Sequence, residues 1–390
     1  MKTGPRCSGC ALEHLPGPVG ADGEGSRGVL LVGEAPGENE AREGRPFIGA
    51  AGWQLESLLR RIGAERDWFR ITNAVQCRPR KNLLVGQPFE TDTLLRCQPL
   101  IEREVASFRP RAILAVGGIP LKQVTGASGI TRYRGFVLDA RWQDANGRPI
   151  PTIATFHPSF LLPRRGEQST SKLTGIVLFD IRRVLAIAEQ GFTRATTTYA
   201  LDPLPQRAEQ IANEMLARLE AGISRFLAFD IETESTGRIA EEDRMLEGAM
   251  TILRISFSDR PRTAMTVPFT APWMGVIRRL LESPFAKVGW NSRKFDVPIL
   301  AGAGITVSGQ VHDAMNAWHV LKPSLPKGLE FVSSIFADHL QPWKHKSAEE
   351  PEWYSAVDAD ATICCMEGIE GGLRSIPLPE LPLEGGGVGE

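Results

Sequence analysis

No apolar run in this 390-residue chain is longer than a strand. The longest, such as "GVLLVG" at 28–33 and "AILAVGG" at 112–118, fall far short of the roughly 20 residues that cross a bilayer, so no membrane partner is expected. Met1 is followed by "KTGPRCSGCALEH" rather than by a basic segment and an apolar core, which argues against a secretory signal and for a cytoplasmic location. An excess of one charge is also missing. The formal net charge is −1, so bulk electrostatics does not announce a nucleic-acid binder. Basic clusters at Arg60/Arg61, Arg78/Arg80/Lys81 and Arg164/Arg165 can still track phosphates, although a solvated surface is their commoner use. Cysteine is scarce, with six residues, and a disulfide framework is not expected in a long cytoplasmic chain. Cys7 and Cys10 form a C-x-x-C, Cys77 and Cys97 stand apart, and Cys364 and Cys365 are adjacent. The first four read as metal or cluster ligands and the last two as buried helix residues.

What is present is enough for two cores. Apolar content of 42% and charged content of 23% are those of a soluble globular protein, and the length predicts two domains of roughly 150 to 200 residues. Residues 1–191 alternate strand-like and helix-like segments, from "GVLLVGEAPG" through "AGWQLESLLRRIG" to "GIVLFDIRRVLAIAEQG", which predicts an α/β domain with a largely parallel sheet. Residues 192–222 lose this periodicity at "FTRATTTYALDPLPQ" and read as a linker with a connecting helix. Residues 223–374 place three antiparallel-looking strands before their first helix, which predicts a mixed sheet. The segment 375–390 is rich in proline and glycine and reads as a disordered tail.

The stretch "FLAFDIETES" at 226–235 aims Asp230, Glu232 and Glu234 from one face of a buried strand. Like charges crowded in a low dielectric repel unless cations or protons neutralise them. Asp296 in "NSRKFDVPIL" and Asp358 in "YSAVDADATICC" supply two more carboxylates, and Tyr354 lies four residues before Asp358 on the same helical face. Carboxylates converging from these places would hold two hard cations, Mg²⁺ or Mn²⁺, in the arrangement that supports phosphodiester hydrolysis. "FDIET", "NSRKFD" and "YSAVDAD" resemble the three motifs of DEDDy exonucleases, and residues 223–374 as a whole resemble the proofreading domain of family A DNA polymerases. The resemblance implies an RNase H-like fold and 3′-to-5′ removal of nucleotides from DNA. It places Asp230, Glu232 and Asp358 on the metals, Asp296 there directly or through water, and Tyr354 on the attacking water. A proofreading domain normally accompanies a polymerase, so a separate polymerase lacking its own exonuclease is an expected partner.

"GEAPGENEAREGRPFIGAAG" at 33–52 is rich in glycine but carries neither G-x-x-x-x-G-K-[ST] nor G-x-G-x-x-G, which disfavours a nucleotide-cofactor loop. Its glycines let backbone approach a flat ligand, and Phe47 can stack on a base. The segment resembles motif A of family 4 uracil-DNA glycosylases, and "ITNAVQCRPRKN", "CQPLIEREVASFRPRAILAVGG" and "TFHPSFLLP" follow in the family's order. The resemblance implies a three-layer α/β glycosylase fold over residues 5–190 and a 4Fe-4S cluster on Cys7, Cys10, Cys77 and Cys97. Zinc on the same four sulfurs is the chemical rival. Gly33, Phe47, Asn73 and His157 would form a uracil pocket. Asn73 would read the O4/N3-H edge and His157 would donate to uracil O2. Glu34 or Glu40 would position the water, and the resemblance leaves that choice open. The link "LLVGQPFETDTLL" departs from the shorter, more basic segment usual in the family. The whole predicts a bifunctional DNA-processing enzyme. Its rival is a proofreading subunit whose glycosylase-like domain only senses uracil or binds DNA.

Overall fold

The run Val29–Gly33 has no polar face, and it becomes a strand buried along its whole length, β1. This architecture comes from a computed structural model that describes residues 7–162, 173–234 and 250–371. The chain forms two units that part between Thr193 and Arg194.

In the first unit β1 is followed by α1 (Glu38–Glu43), α2 (Ala50–Arg61), β2 (Phe69–Asn73), α3 (Glu90–Phe108), β3 (Ala112–Val116), α4 (Gly118–Thr125), α5 (Ile130–Tyr133), β4 (Val137–Gln143), β5 (Pro149–Thr155) and α6 (Thr174–Gln190). The sheet order is β2-β1-β3-β5-β4. Four strands run parallel, and β4 alone is antiparallel, joined to β5 as a hairpin. Leu30 and Val32 pack with Leu94, Ile101 and Val105 of α3 and with Ile119 and Val124 of α4. Helix α6 touches β1, β3 and β5 and meets α2, so the sheet is a filling between two helical layers. The carboxyl ends of β1, β2 and β5 all reach one edge, where open parallel sheets bind their ligands.

The second unit contains β6 (Thr198–Leu201), α7 (Pro205–Glu220), β7 (Leu227–Thr233), β8 (Ile252–Ser258), β9 (Thr263–Pro268), α8 (Ala271–Leu281), β10 (Lys287–Gly289), α9 (Asp296–Gly302), β11 (Val311–Asp313), α10 (Ala314–Leu321), α11 (Leu329–Phe336) and α12 (Pro351–Glu370). Its sheet runs β11-β10-β7-β8-β9-β6. β7, β8 and β9 form the expected antiparallel meander, while β10 and β11 extend it in parallel beyond β7. Helix α12 crosses β7, β8 and β9, and every residue from Ser355 to Met366 is buried, Cys364 and Cys365 among them.

The reading of 192–222 as a linker and connecting helix is corrected. Residues Thr198–Leu201 pair in parallel with β9 as the edge strand of the second sheet. Ala208, Ala212, Met215 and Leu219 of α7 enter the same core as Leu227, Phe229 and Ile255. A four-residue edge strand carries too little alternation to be seen, and Pro205 opens a helix at its first turn rather than marking a loop. The segment 375–390 and Arg164/Arg165 lie outside the described residues.

Candidate functional site

Three strand ends build the site of the first unit. Asn73 closes β2 directly opposite Gly33 at the end of β1, and His157 follows β5 by two residues. Asn73 and His157 border a cavity of about 930 Å³ that is also lined by Glu34, Phe47, Val85 and Phe160. Gly33 is required by space, because a Cβ there would overlap the Phe47 ring and Asn73 Oδ1.

Phe47 sits at φ +52°, a left-handed conformation that a phenylalanine reaches only when its surroundings impose it. Two clamps do so. Arg66 donates to the carbonyls of Phe47 at 3.1 Å and Pro46 at 2.6 Å, and its own Nη2 is held by Asp22 at 3.0 Å. From the other side Glu40 Oε1 accepts the backbone N–H groups of Ile48 at 3.2 Å and Gly49 at 2.8 Å. The ring is thereby fixed 5.8 Å from the His157 ring, at 35° to it.

The proton of His157 can be placed. Its Nδ1 accepts the Ser159 backbone N–H at 3.3 Å and pairs with Ser159 Oγ at 2.7 Å. A backbone N–H only donates, so the ring proton resides on Nε2. Burial pushes the imidazolium pKa down to about 4, against the pull of the Glu40 carboxylate. His157 is therefore a neutral donor at ordinary pH. The two candidate glutamates also separate. Both line the cavity, but Glu40 is buried with Oε1 committed to backbone, whereas among the described residues nothing in the protein donates to the Glu34 carboxylate. Burial, with Glu90 nearby, raises the Glu34 pKa above the ordinary carboxylate value.

The four cysteines of the first unit come together. Burial raises the Cys97 thiol to about 11, the charges of Cys77, Cys10 and Cys7 add to the shift, and the Gln76 backbone N–H opposes it. Cys77 and Cys97 are buried among Leu12, Leu84 and Leu94. Among the described residues, the metal-ligating side chains whose atoms gather within 4.8 Å of one another form two groups, and neither contains these thiols. A tetrahedral zinc with bonds of about 2.3 Å holds its sulfurs roughly 4 Å apart, so the set is more open than a single zinc requires.

In the second unit, ligand atoms of Asp230, Glu232 and Asp358 lie within 4.8 Å of one another. Asp230 and Glu232 share a face of β7, Asp358 comes from α12, and Asp296 from the start of α9 stands beside them. Asp296 Oδ1 accepts the Ile231 backbone N–H at 3.1 Å, which ties its helix to β7 but keeps it out of the tightest trio. Burial first, then the neighbouring carboxylates, pushes Asp230 well above the carboxylate range. Burial raises Glu232 and Asp296 to about 7, again with Asp358 adding to the shift. Glu234 is exposed past the strand end and takes no part. The other gathered group, His339, Asp360 and Cys364, is a satisfied buried network. Asp360 Oδ2 meets Tyr199 at 2.6 Å and His339 at 2.8 Å, and Oδ1 accepts the Arg262 N–H at 2.7 Å.

Residues 22–177 match the uracil DNA glycosylase superfamily. A type-4 uracil-DNA glycosylase of Thermotoga maritima is 36% identical over 182 residues, covering 46% of this chain and 87% of that protein. Another, from Sulfurisphaera tokodaii, is 34% identical over 163 residues, covering 40% and 71%. The chain belongs to the uracil DNA glycosylase superfamily. Among solved structures, Brucella melitensis NrnC with bound Mg²⁺ aligns at TM-score 0.32 and 17% identity, over 46% of this chain and 82% of that one. The catalytic core of RRP6 from Trypanosoma brucei aligns at 0.36 and 16%, over 48% and 50%. The reading of the second unit rests on its own carboxylates rather than on these likenesses.

Several residues of both sites were not visible as functional in the sequence. In the glycosylase unit Arg66 and Asp22 hold the Phe47 loop, and Ser159 sets the His157 tautomer. In the second unit Trp343 Nε1 donates to Asp358 Oδ1 at 2.6 Å, and Lys344 Nζ reaches Asp358 Oδ2 at 2.6 Å and the Tyr354 hydroxyl at 2.9 Å. "PWKHK" lies between recognisable motifs, and only the fold brings it to Asp358.

Proposed function

We propose that the chain excises uracil from DNA and removes nucleotides from DNA 3′ ends. The observation that carries the first activity is the convergence of Asn73, a neutral His157 and an unencumbered Glu34 on one cavity at the carboxyl ends of parallel strands. A uracil brought out of its stack would lie against Phe47, with its O4/N3-H edge on the Asn73 amide. As the C1′–N1 bond breaks, the bonding pair leaves with the base. The negative charge that develops on O2 is met by the His157 Nε2–H. Ionised Glu34 steadies the cationic sugar and takes a proton from the water whose oxygen joins C1′. Glu40 acts one step back, by holding the loop that carries Phe47.

The second activity rests on the trio Asp230, Glu232 and Asp358 with Tyr354 beside it. Three carboxylates within 4.8 Å of one another fit divalent cations, since burial and their mutual repulsion both raise the pKa values of Asp230 and Glu232 and a dication would offset both. Cations held there would supply an acidic water and neutralise the leaving oxyanion. The chain's own residues do the rest. Asp296 braces β7 against α9, and the Tyr354 hydroxyl orients the water.

The openness of the four-thiol set favours a 4Fe-4S cluster over zinc. The buried Cys97 thiol, raised to about 11, would release its proton as the group is bound. A polymerase without its own proofreading site is the proposed partner in trans, which co-purification tests. Uracil release from a single-stranded oligonucleotide should be lost on Asn73→Ala, and chelator-sensitive 3′ degradation should be lost on Asp230→Ala. Tight binding of uracil-DNA without release would instead make the glycosylase unit a sensor.

A further inference from the structure

The carboxylates of the second unit already face a cation that belongs to the chain. Lys344 Nζ lies 2.6 Å from Asp358 Oδ2 and 2.9 Å from the Tyr354 hydroxyl. The other Asp358 oxygen is held at 2.6 Å by Trp343 Nε1, from a side chain with 0% exposure that has nowhere to go. Lys344 differs, because its side chain keeps 35% of its surface open to solvent. Its backbone is nevertheless pinned, since Glu330 Oε1 accepts both the Trp343 N–H at 2.9 Å and the Lys344 N–H at 3.1 Å. The flexible four-carbon stem is therefore the part free to swing.

We propose that Lys344 is a displaceable counter-cation, holding the Asp358 Oδ2 position that a divalent cation needs and yielding it when that cation enters. The inference rests on the reading of Asp230, Glu232 and Asp358 as a cation site. Without the ammonium, three carboxylates within 4.8 Å would face one another with no positive side chain between them among the described residues. With it, an entering dication meets a like charge on an oxygen it must share. The same ammonium donates to Tyr354, so one displacement both opens Asp358 and releases the hydroxyl that orients water. Lys344 is thus a positioning residue that assembles the metal-free site and competes with its ligand.

The test is Mn²⁺ binding to the full chain, read by electron paramagnetic resonance without DNA, together with melting temperature with and without Mn²⁺. Asp230→Ala should abolish binding at this site. Lys344→Met should bind Mn²⁺ about tenfold more tightly than wild type, a size usual for coupling between neighbouring charges. Lys344→Met should also melt lower without the ion and recover with it. Lys344→Arg, which keeps the charge, should stay near wild type in both measurements, and Lys344→Gln repeats the comparison if Lys344→Met does not fold. Unchanged or weaker binding in the neutral variants, with Asp230→Ala still abolishing it, would overturn the displacement alone. Binding that survives Asp230→Ala would overturn the cation-site reading and the displacement with it.

Discussion

At the residue scale the structure separates groups that the sequence leaves equivalent. Glu34 and Glu40 sit six apart in one glycine-rich motif, and nothing in their spacing says which faces the substrate. Hydrogen bonding decides it, because both line the cavity but Glu40 Oε1 is occupied by two backbone N–H groups, while among the described residues none donates to the Glu34 carboxylate. Glu34→Gln should lower uracil release by about a hundredfold or more, as loss of a general base does. Glu40→Gln should leave most of it, since its amide oxygen can still accept from Ile48 and Gly49. Equal losses in single-turnover assays would contradict the assignment. His157 makes a pH prediction. Its folded pKa of about 4 lies below the ordinary 6.5, so the fold binds fewer protons than the unfolded chain between these values. The stability conferred by the neutral ring is full above about 6.5 and is lost as pH falls toward 4. Uracil release should accordingly show no His157 inflection between about pH 5 and 8. A ring titration by NMR near its ordinary value would refute the neutral-donor account.

At the element scale the sites are strand ends and helix starts held by buried polar anchors. Thr155, the last residue of β5, donates to Asp180 Oδ2 of α6 at 2.8 Å, and Arg134 Nη2 meets Asp180 Oδ1 at 2.6 Å. The pair is almost wholly shielded, with side-chain exposures of 1% and 0%. Asp180→Ala removes the carboxylate from a buried guanidinium and should cost about 3 to 5 kcal/mol in denaturant unfolding. Because Thr155 lies two residues before His157, uracil release should fall as well. A loss near that of an exposed ion pair, under about 1 kcal/mol, would mean that the anchor carries no load. Long elements with a clear period, such as α3, α6 and β7, were legible in the sequence. The short edge strand β6 was not, because four residues give no pattern and its role is set by pairing with β9.

At the scale of the whole molecule, two units stand in one chain, each with its own sheet and its own converging polar side chains. Asn73, His157, Glu34 and Phe47 share one cavity, and Asp230, Glu232 and Asp358 lie together in the other unit. The supporting residues were illegible in the sequence. Arg66, Ser159, Trp343 and Lys344 act through partners far away in sequence, and their types are common on any surface. On the proposed function, joining a base-excising unit to a 3′-end-trimming unit would raise the effective concentration of each at a DNA end held by the other. The central claim is that both sites act, and independently. It is tested most directly with one 5′-labelled single-stranded oligonucleotide carrying an internal uracil, given to the wild type, Asn73→Ala and Asp230→Ala. The account predicts that wild type forms both an abasic site and shortened products, that Asn73→Ala only shortens, and that Asp230→Ala only releases uracil. An intact oligonucleotide with the wild-type protein, or loss of both products in either variant, would contradict it.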